Sequence, residues 1–393
     1  MCCEKNMTTQ PAFWMLIVMI VTAVLVQMDR STRVIFGSFI LLITIARLFV
    51  NHKVRRNNTF RMHLVSPDLM NESLVLEADL AGEETLFLID TGYAGPPVIS
   101  TSYLAIHDPV DMSLEERYAY ITRALTHSVD SNQHHRAIDT FLRSKRCTSY
   151  TSGCTMRLMG IGAVSEQQAD MMLCRALQFR AYDGYMSTPI SSIDADVFVT
   201  NRLSQSIHIL TCDYLVHCNP TLLDLKNGLM RLYVPFDEAA LIRIGMTMLP
   251  HKLNGGAFVV PIMLGGIEFH VTVDTGAPGP VSLGRDSAER LQRCVRKHKT
   301  LGQEGVNGER VCSEIITTDM VFCNKSVQNV PVFINDTPVE GVDGYIGMGV
   351  LRAYDMLITE EGIGFASNGV AIRSVGTFTD SAESGKCDIA LSC

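Results

Sequence analysis

Part of this chain occurs twice, and nothing else constrains its fold as strongly. Shifted by 184 residues, Leu74–Ser100 lies over Phe258–Gly284 without a gap. Leu80/Leu264, Gly82/Gly266, Glu84/Glu268, Asp90/Asp274, Thr91/Thr275, Gly92/Gly276, Gly95/Gly279 and Pro96/Pro280 are identical. Both copies read as an apolar strand, a glycine turn and a second apolar strand running into Asp-Thr-Gly. The copies also end alike: Leu210–Leu215 leads to Asp224–Gly228 and Met230, as Ile346–Leu351 leads to Glu360–Gly362 and Ile363. So long a period, present only twice, predicts a duplicated lobe and not a solenoid.

The lobes are expected over 57–235 and 256–374, joined by a crossover at 236–255 and followed by a flexible tail at 375–393. The first lobe is longer. Its excess includes Ser113–His127, where Leu114, Tyr118, Ile121 and Leu125 share one helical face and Ser113 and Glu116 have capping-box spacing. A helical insertion is expected here, with a second short helix near 134–144.

Composition removes several classes of function. With 47% hydrophobic and 19% charged residues, the 393-residue chain can bury a core. A net charge of −8 and the lack of a basic stripe argue against nucleic acid as a partner. The twelve cysteines contain no Cys-x-x-Cys, so no zinc signature is present and the redox compartment stays open. His134-His135 and the other histidines lack ligand spacing and are read as surface groups. Gly265-Gly266 is followed by no helix, so it is a turn and not a phosphate loop. No metal and no organic cofactor is implied.

Residues 1–56 differ from the rest. Two apolar stretches, 12–28 and 34–50, are each just long enough to cross a bilayer and are joined by a polar turn. They predict a transmembrane hairpin that anchors the protein in a membrane. Lys53, Arg55, Arg56 and Arg61 follow the second span, against Arg30 and Arg33 in the turn, which places the remaining chain on the cytosolic side. Asn-x-Ser/Thr sequons at Asn6, Asn57, Asn71, Asn324 and Asn335 pull towards a lumenal face, so both orientations stay open.

Two Asp-Thr-Gly loops at equivalent places in a repeat supply two carboxylates to one spot. Like charges about 3 Å apart cannot both ionise, so the pair shares a proton. A water between them is then activated by the ionised partner, while the protonated one hydrogen-bonds a scissile carbonyl. Asp90 and Asp274 are the candidate catalytic residues. Thr91 and Thr275 are expected to hydrogen-bond across to the facing loop, and Gly92 and Gly276 to permit the sharp turn.

Phe269–Ala277, Gly344–Gly347 with Val350-Leu351-Arg352, and Ile363–Ala366 resemble the carboxy-terminal lobe of aspartic proteases of the pepsin/retropepsin group, in a single-chain form. The Ala277 ending is closer to retropepsins. The resemblance implies an all-β, bilobal acid-protease fold with a cleft between lobes, a peptide or protein substrate, and no need to dimerise. It also implies a flap, for which Ser149–Gly153 followed by Met156–Gly162 is the candidate, with Tyr150 and Gly153 as its residues. Two positions depart from the family. Tyr93 stands where a small or hydroxyl residue is usual, removing a supporting hydroxyl from Asp90. Thr211 stands where glycine is expected, unless Val197–Thr200 is the true counterpart. Both departures feed an alternative: a peptide-binding module that has lost turnover.

Overall fold

The computed structural model describes residues 59–65, 72–80, 83–93, 95–100, 103, 112–124, 136, 149–160, 163–181, 191–200, 207–218, 220–232, 245–250, 252–254, 257–277, 279–291, 296–304, 310–335, 341–372 and 390–391. The chain divides into two compact units, Met1–Asn57 and Asn58–Cys393. The hairpin expected over 12–28 and 34–50 lies outside the described residues. Among the described residues no helix is long and apolar enough to cross a membrane.

The second unit is mostly β. Its first part contains β1 (Thr59–Val65), β2 (Ser73–Leu80), β3 (Glu83–Asp90), β4 (Val98–Ser100), helix α1 (Leu114–Ala124), β5 (Ser149–Gly160), β6 (Ala163–Ala181), β7 (Ser191–Thr200), β8 (His208–Thr211), α2 (Cys212–His217), β9 (Thr221–Asp224) and β10 (Leu229–Arg231). The second part contains β11 (Thr247–Pro250), β12 (Lys252–Asn254), β13 (Ala257–Leu264), β14 (Ile267–Val273), β15 (Val281–Gly284), α3 (Arg285–Glu289), β16 (Arg296–Glu304), β17 (Arg310–Phe322), β18 (Lys325–Asn335), β19 (Gly344–Ile346), α4 (Met348–Leu351), β20 (Tyr354–Ile358), β21 (Gly362–Ser367) and β22 (Ala390–Leu391).

The sequence repeat is a repeat of topology. The β2–β3 hairpin closes with Leu80 opposite Glu83, and β13–β14 closes with Leu264 opposite Ile267, 184 residues on. Gly265 and Gly266 form that second turn with φ of 56° and 81°, the left-handed pair that a tight two-residue hairpin requires. In each copy the strand entering Asp-Thr-Gly then takes a parallel neighbour, β8 for β3 and β19 for β14. The next strand inserts antiparallel to that neighbour, β4 against β8 and β15 against β19. The sheet orders β3-β8-β4-β7-β6-β5 and β14-β19-β15-β18-β17-β16 therefore correspond strand for strand.

The hairpins β9–β10 and β20–β21 meet in the middle of one sheet, ordered β11-β21-β20-β9-β10-β1, where Leu222 pairs with Leu357. Residues 247–250 and 252–254, placed in the crossover from sequence, are strands of the two sheets. β11 pairs with β21, and β12 pairs with β13. These short strands carry too little periodicity to be read alone, and the partner of β11 lies more than a hundred residues away. Within the expected tail, β22 pairs with Gln303 and Glu304 of β16.

Burial explains why these segments became strands. Alternate residues of β2 and β3 enter different cores. Leu74, Leu76, Phe87 and Ile89 join the main apolar cluster, which also takes in Phe258, Val271, Met356 and Phe365 of the second repeat. Val75, Leu86 and Leu88 face the other way, onto Tyr118 and Ile121 of α1. A strand buried on both faces reads as a continuous apolar run. Each such side chain contributes about 1.5–3 kcal/mol.

α1 matches its expectation. Glu116 N–H donates to Ser113 Oγ at 3.3 Å and Ser113 N–H to the Glu116 carboxylate at 3.1 Å, a reciprocal capping box. Tyr118 Oη donates to Ser73 Oγ at 2.7 Å, tying the insertion to β2. Leu125, and all of 134–144 except Arg136, lie outside the described residues.

One surface expectation is corrected. His208 is 1% exposed, its ring lying 4.4 Å from that of Tyr103 and 5.1 Å from that of Phe87. Its Nδ1 accepts the Ser100 N–H at 3.0 Å, and burial pulls its pKa down to about 3, so it is neutral. Its neighbours come from distant segments, which no spacing rule reveals. Asn335 is likewise buried, donating from Nδ2 to Ser282 Oγ at 2.7 Å, so its sequon is closed off in the folded chain.

Candidate active site

β3 and β14 each deliver an Asp-Thr-Gly at the seam between the repeats. Thr91 N–H donates to Thr275 Oγ1 and Thr275 N–H to Thr91 Oγ1, both at 3.0 Å. Each hydroxyl then donates onward into the opposite strand, Thr91 Oγ1 to the Val273 carbonyl at 2.8 Å and Thr275 Oγ1 to the Ile89 carbonyl at 2.6 Å. Both threonines are fully buried. Each side chain therefore satisfies one donor and one acceptor of the facing loop, and breaking either contact strands a buried polar group.

This lattice fixes the two carboxylates against each other. Asp90 Oδ1 accepts the N–H of Gly92 at 2.9 Å and of Tyr93 at 3.1 Å. Asp274 Oδ1 accepts those of Gly276 at 2.8 Å and Ala277 at 3.0 Å. The two carboxyls are hydrogen-bonded to each other. Glycine is needed here for space. A Cβ on Gly92 would sit 2.7 Å from both Asp274 carboxylate oxygens, and one on Gly276 would sit 2.8 Å from Asp90 Oδ2.

Electrostatics follow from the geometry. Burial raises the Asp90 carboxyl, against the hydrogen bonds from Asp274, Gly92 and Tyr93. Burial, the adjacent Asp90 charge and the hydrogen bond between them hold Asp274 well above the ordinary carboxylate range. The pair therefore keeps one proton to higher pH than either carboxyl would alone, and the titration belongs to the pair.

Asp90, Thr91, Gly92, Asp274, Thr275 and Gly276 are thus brought together. The structure does not bring Tyr150 and Gly153 to them through any described contact. Both lie on β5, where Tyr150 pairs with Cys174 and Gly153 falls at a break in register between Ser152 and Cys154. The side chains of this hairpin lie outside the described residues. The hairpin β16–β17 occupies the equivalent place in the second repeat, which the sequence did not suggest because Arg296–Glu304 shares no motif with Ser149–Gly160.

The departures in the first loop resolve clearly. The N–H of Tyr93 still donates to Asp90, since that support comes from the backbone and needs no hydroxyl. Asp90 pairs with Thr211 across β3 and β8, so Thr211 is the counterpart of Gly347, and Val197–Thr200 belongs to β7. Thr211 Oγ1 donates to the Gly95 carbonyl at 2.5 Å. Asp213, passed over in the sequence, accepts the Gly95 N–H at 2.9 Å. Aligning Thr211-Cys212-Asp213 with Gly347-Met348-Gly349 was the available signal. In the second repeat Tyr345 packs on Ala277 beside Asp274. Among the described residues no group of three or more His, Cys, Asp or Glu is placed to hold a metal ion.

A comparison with curated proteins finds no match. Among solved structures, a retropepsin-like aspartic protease from Rickettsia conorii is similar at 13% identity, covering 31% of this chain and 89% of that one, with a TM-score of 0.24. The EIAV protease complexed with the inhibitor HBY-793 is similar at 20% identity, covering 24% and 86%, with a TM-score of 0.22. Residues 260–350, which contain β14, Asp274-Thr-Gly and β19, match the family model described as aspartyl protease.

Proposed function

We propose that the protein is an aspartic endopeptidase that hydrolyses peptide bonds with Asp90 and Asp274 as its catalytic pair. The carrying observation is the contact between the two carboxylates inside the reciprocal threonine lattice. A water bound at the pair loses a proton to the ionised carboxylate and attacks the scissile carbonyl. The protonated carboxyl donates to the carbonyl oxygen, giving a tetrahedral diol with no covalent enzyme intermediate. Proton return to the amide nitrogen then releases the two products.

Both aspartates come from one chain, so this reading needs no dimer. The two repeats would act as lobes of a pepsin-like form, with an extended peptide bound between them under the β5–β6 hairpin. Tyr93 and Thr211, on which the inactive binding module rested, both contribute hydrogen bonds around the first loop, which favours the hydrolase. The apolar stretches 12–28 and 34–50 support attachment to a membrane, with the protease on its cytosolic side by the charge distribution. Resistance of the full-length protein to carbonate extraction tests that part.

The chemistry is tested with the full-length protein on a mixed decapeptide library from pH 3 to 7, beside Asp274→Asn. Cleavage by the wild type that disappears in the variant supports the pair. Equal cleavage by both, or none by a folded wild type, overturns it.

A further inference from the structure

The two Asp-Thr-Gly loops are backed by different means. Behind the second, Gly347 and Gly349 let the backbone come close. Gly347 N–H donates to the Pro280 carbonyl at 2.9 Å and Gly349 N–H to the Gly279 carbonyl at 3.2 Å. No side chain fits there: a Cβ on Gly347 would lie 2.5 Å from the Ala277 carbonyl oxygen, and one on Gly349 2.7 Å from the Pro280 nitrogen.

Behind the first loop the same two places hold Thr211 and Asp213. Their side chains close on both polar groups of one residue, Thr211 Oγ1 on the Gly95 carbonyl and Asp213 Oδ2 on the Gly95 N–H. Gly95 stands at φ 120°, a conformation that side-chain-bearing residues rarely adopt. Its counterpart Gly279 is not among the positive-φ glycines. In the first loop Gly95 therefore meets side chains where Gly279 meets backbone, while Cys212 N–H donates to the Tyr93 carbonyl at 3.0 Å just as Met348 N–H donates to that of Ala277 at 2.7 Å. The Tyr93 ring lies along Gly95, its Oη 3.6 Å from where a Cβ would stand, so the clamp also braces the residue whose N–H holds Asp90.

We propose that Asp213 and Thr211 form a side-chain clamp on Gly95 that sets the position of the Asp90 loop, which makes Asp213 a positioning residue for catalysis by the pair. Its value for turnover rests on the hydrolase reading above. Its mechanical part does not. Asn at 213 keeps an acceptor for the Gly95 N–H, whereas Ala removes it.

The test compares full-length wild type, Asp213→Ala, Asp213→Asn and Asp274→Asn on one decapeptide cleaved from the library, together with amide exchange of Gly92–Gly95. Asp213→Ala is expected to lower kcat about tenfold, corresponding to one lost charge-assisted hydrogen bond, with KM within about twofold. Exchange at Gly95 is expected to rise about tenfold while exchange in β14 stays the same. Asp213→Asn is expected to restore both. Wild-type kcat and exchange in Asp213→Ala overturn the clamp, as does an Asn variant as impaired as the Ala variant. Should Asp213→Ala not fold, Thr211→Val removes the other arm and is read in the same way. If the wild type does not cleave, or Asp274→Asn cleaves equally, the hydrolase reading fails, and the exchange data still decide the clamp.

Discussion

The two repeats carry the same strand order but are finished differently. β3 is buried on both faces because α1 covers one of them, so Leu86 and Leu88 are as inaccessible as Phe87 and Ile89. β14 has no such cover: Phe269, Val271 and Val273 are buried while Glu268 and His270 are exposed. The loops that follow differ in the same sense: the side chains of Thr211 and Asp213 hold Gly95 in the first, where Gly347 and Gly349 let backbone approach backbone in the second. A duplicated unit thus keeps what the shared centre demands, namely the lattice and the carboxylates, and diverges in whatever supports each copy from behind.

The largest expected effect addresses the shared centre. Asp90→Asn and Asp274→Asn should each lower kcat/KM by about 100- to 10,000-fold, the range of positioned acid–base groups. The double variant should be no worse than either single one, because the two act as a unit. A clearly additive double variant would show two independent roles. Next come the glycines between the carboxylates. Gly92→Ala and Gly276→Ala each push a methyl group into the opposite carboxylate, so activity should vanish and stability should fall by about 1–3 kcal/mol, read by urea unfolding. Unequal losses would mean that one repeat yields more easily than the other.

The lattice itself predicts near-equality. Thr91→Val and Thr275→Val each leave one buried N–H and one buried carbonyl without its partner, at a cost of about 1–3 kcal/mol per group. Denaturation midpoints of the two variants should agree closely, and a large difference would break the equivalence of the loops.

Stability should also respond to pH through the pair. The folded-state pKa of Asp274 is raised, so the folded protein binds more protons than the unfolded chain. The associated stability is complete below the unfolded carboxylate value and is lost as pH rises through the folded one. Melting temperature should therefore fall between pH 4 and 7, and Asp274→Asn, which cannot ionise, should flatten that slope. An unchanged slope would place the dependence elsewhere.

The smallest effect concerns α1, which among the described residues has no equivalent in the second repeat. Tyr118→Phe removes the bond to Ser73 and should cost about 0.5–1.5 kcal/mol while leaving kcat unaltered. A fall in kcat would connect α1 to the site.

Much of this was legible before any coordinates. The shift of 184 residues located both hairpins and both loops, because strand–turn–strand patterns are local and apolar periodicity records burial directly. The capping box at Ser113 and Glu116 was legible for the same reason. The role of β11 and β12 was not, since a strand of three or four residues is defined by its partner. His208 was misread as a surface group because Tyr103 and Phe87 reach it through tertiary packing. The main-chain bond from Tyr93 to Asp90 was not legible, because a one-dimensional comparison sees side chains.

The sequence by itself determined that two equivalent Asp-Thr-Gly loops would occur, each at the end of an apolar strand, and which residues would occupy them. Only the tertiary structure decided that the carboxylates share a hydrogen bond, that each glycine is required by the facing aspartate, and that Thr211 and Asp213 brace Gly95. Those properties depend on contacts between residues more than a hundred positions apart. Strand pairing, β9 with β20 between the repeats and β3 with β8 within the first, sets such distances, and no local pattern along the chain encodes them.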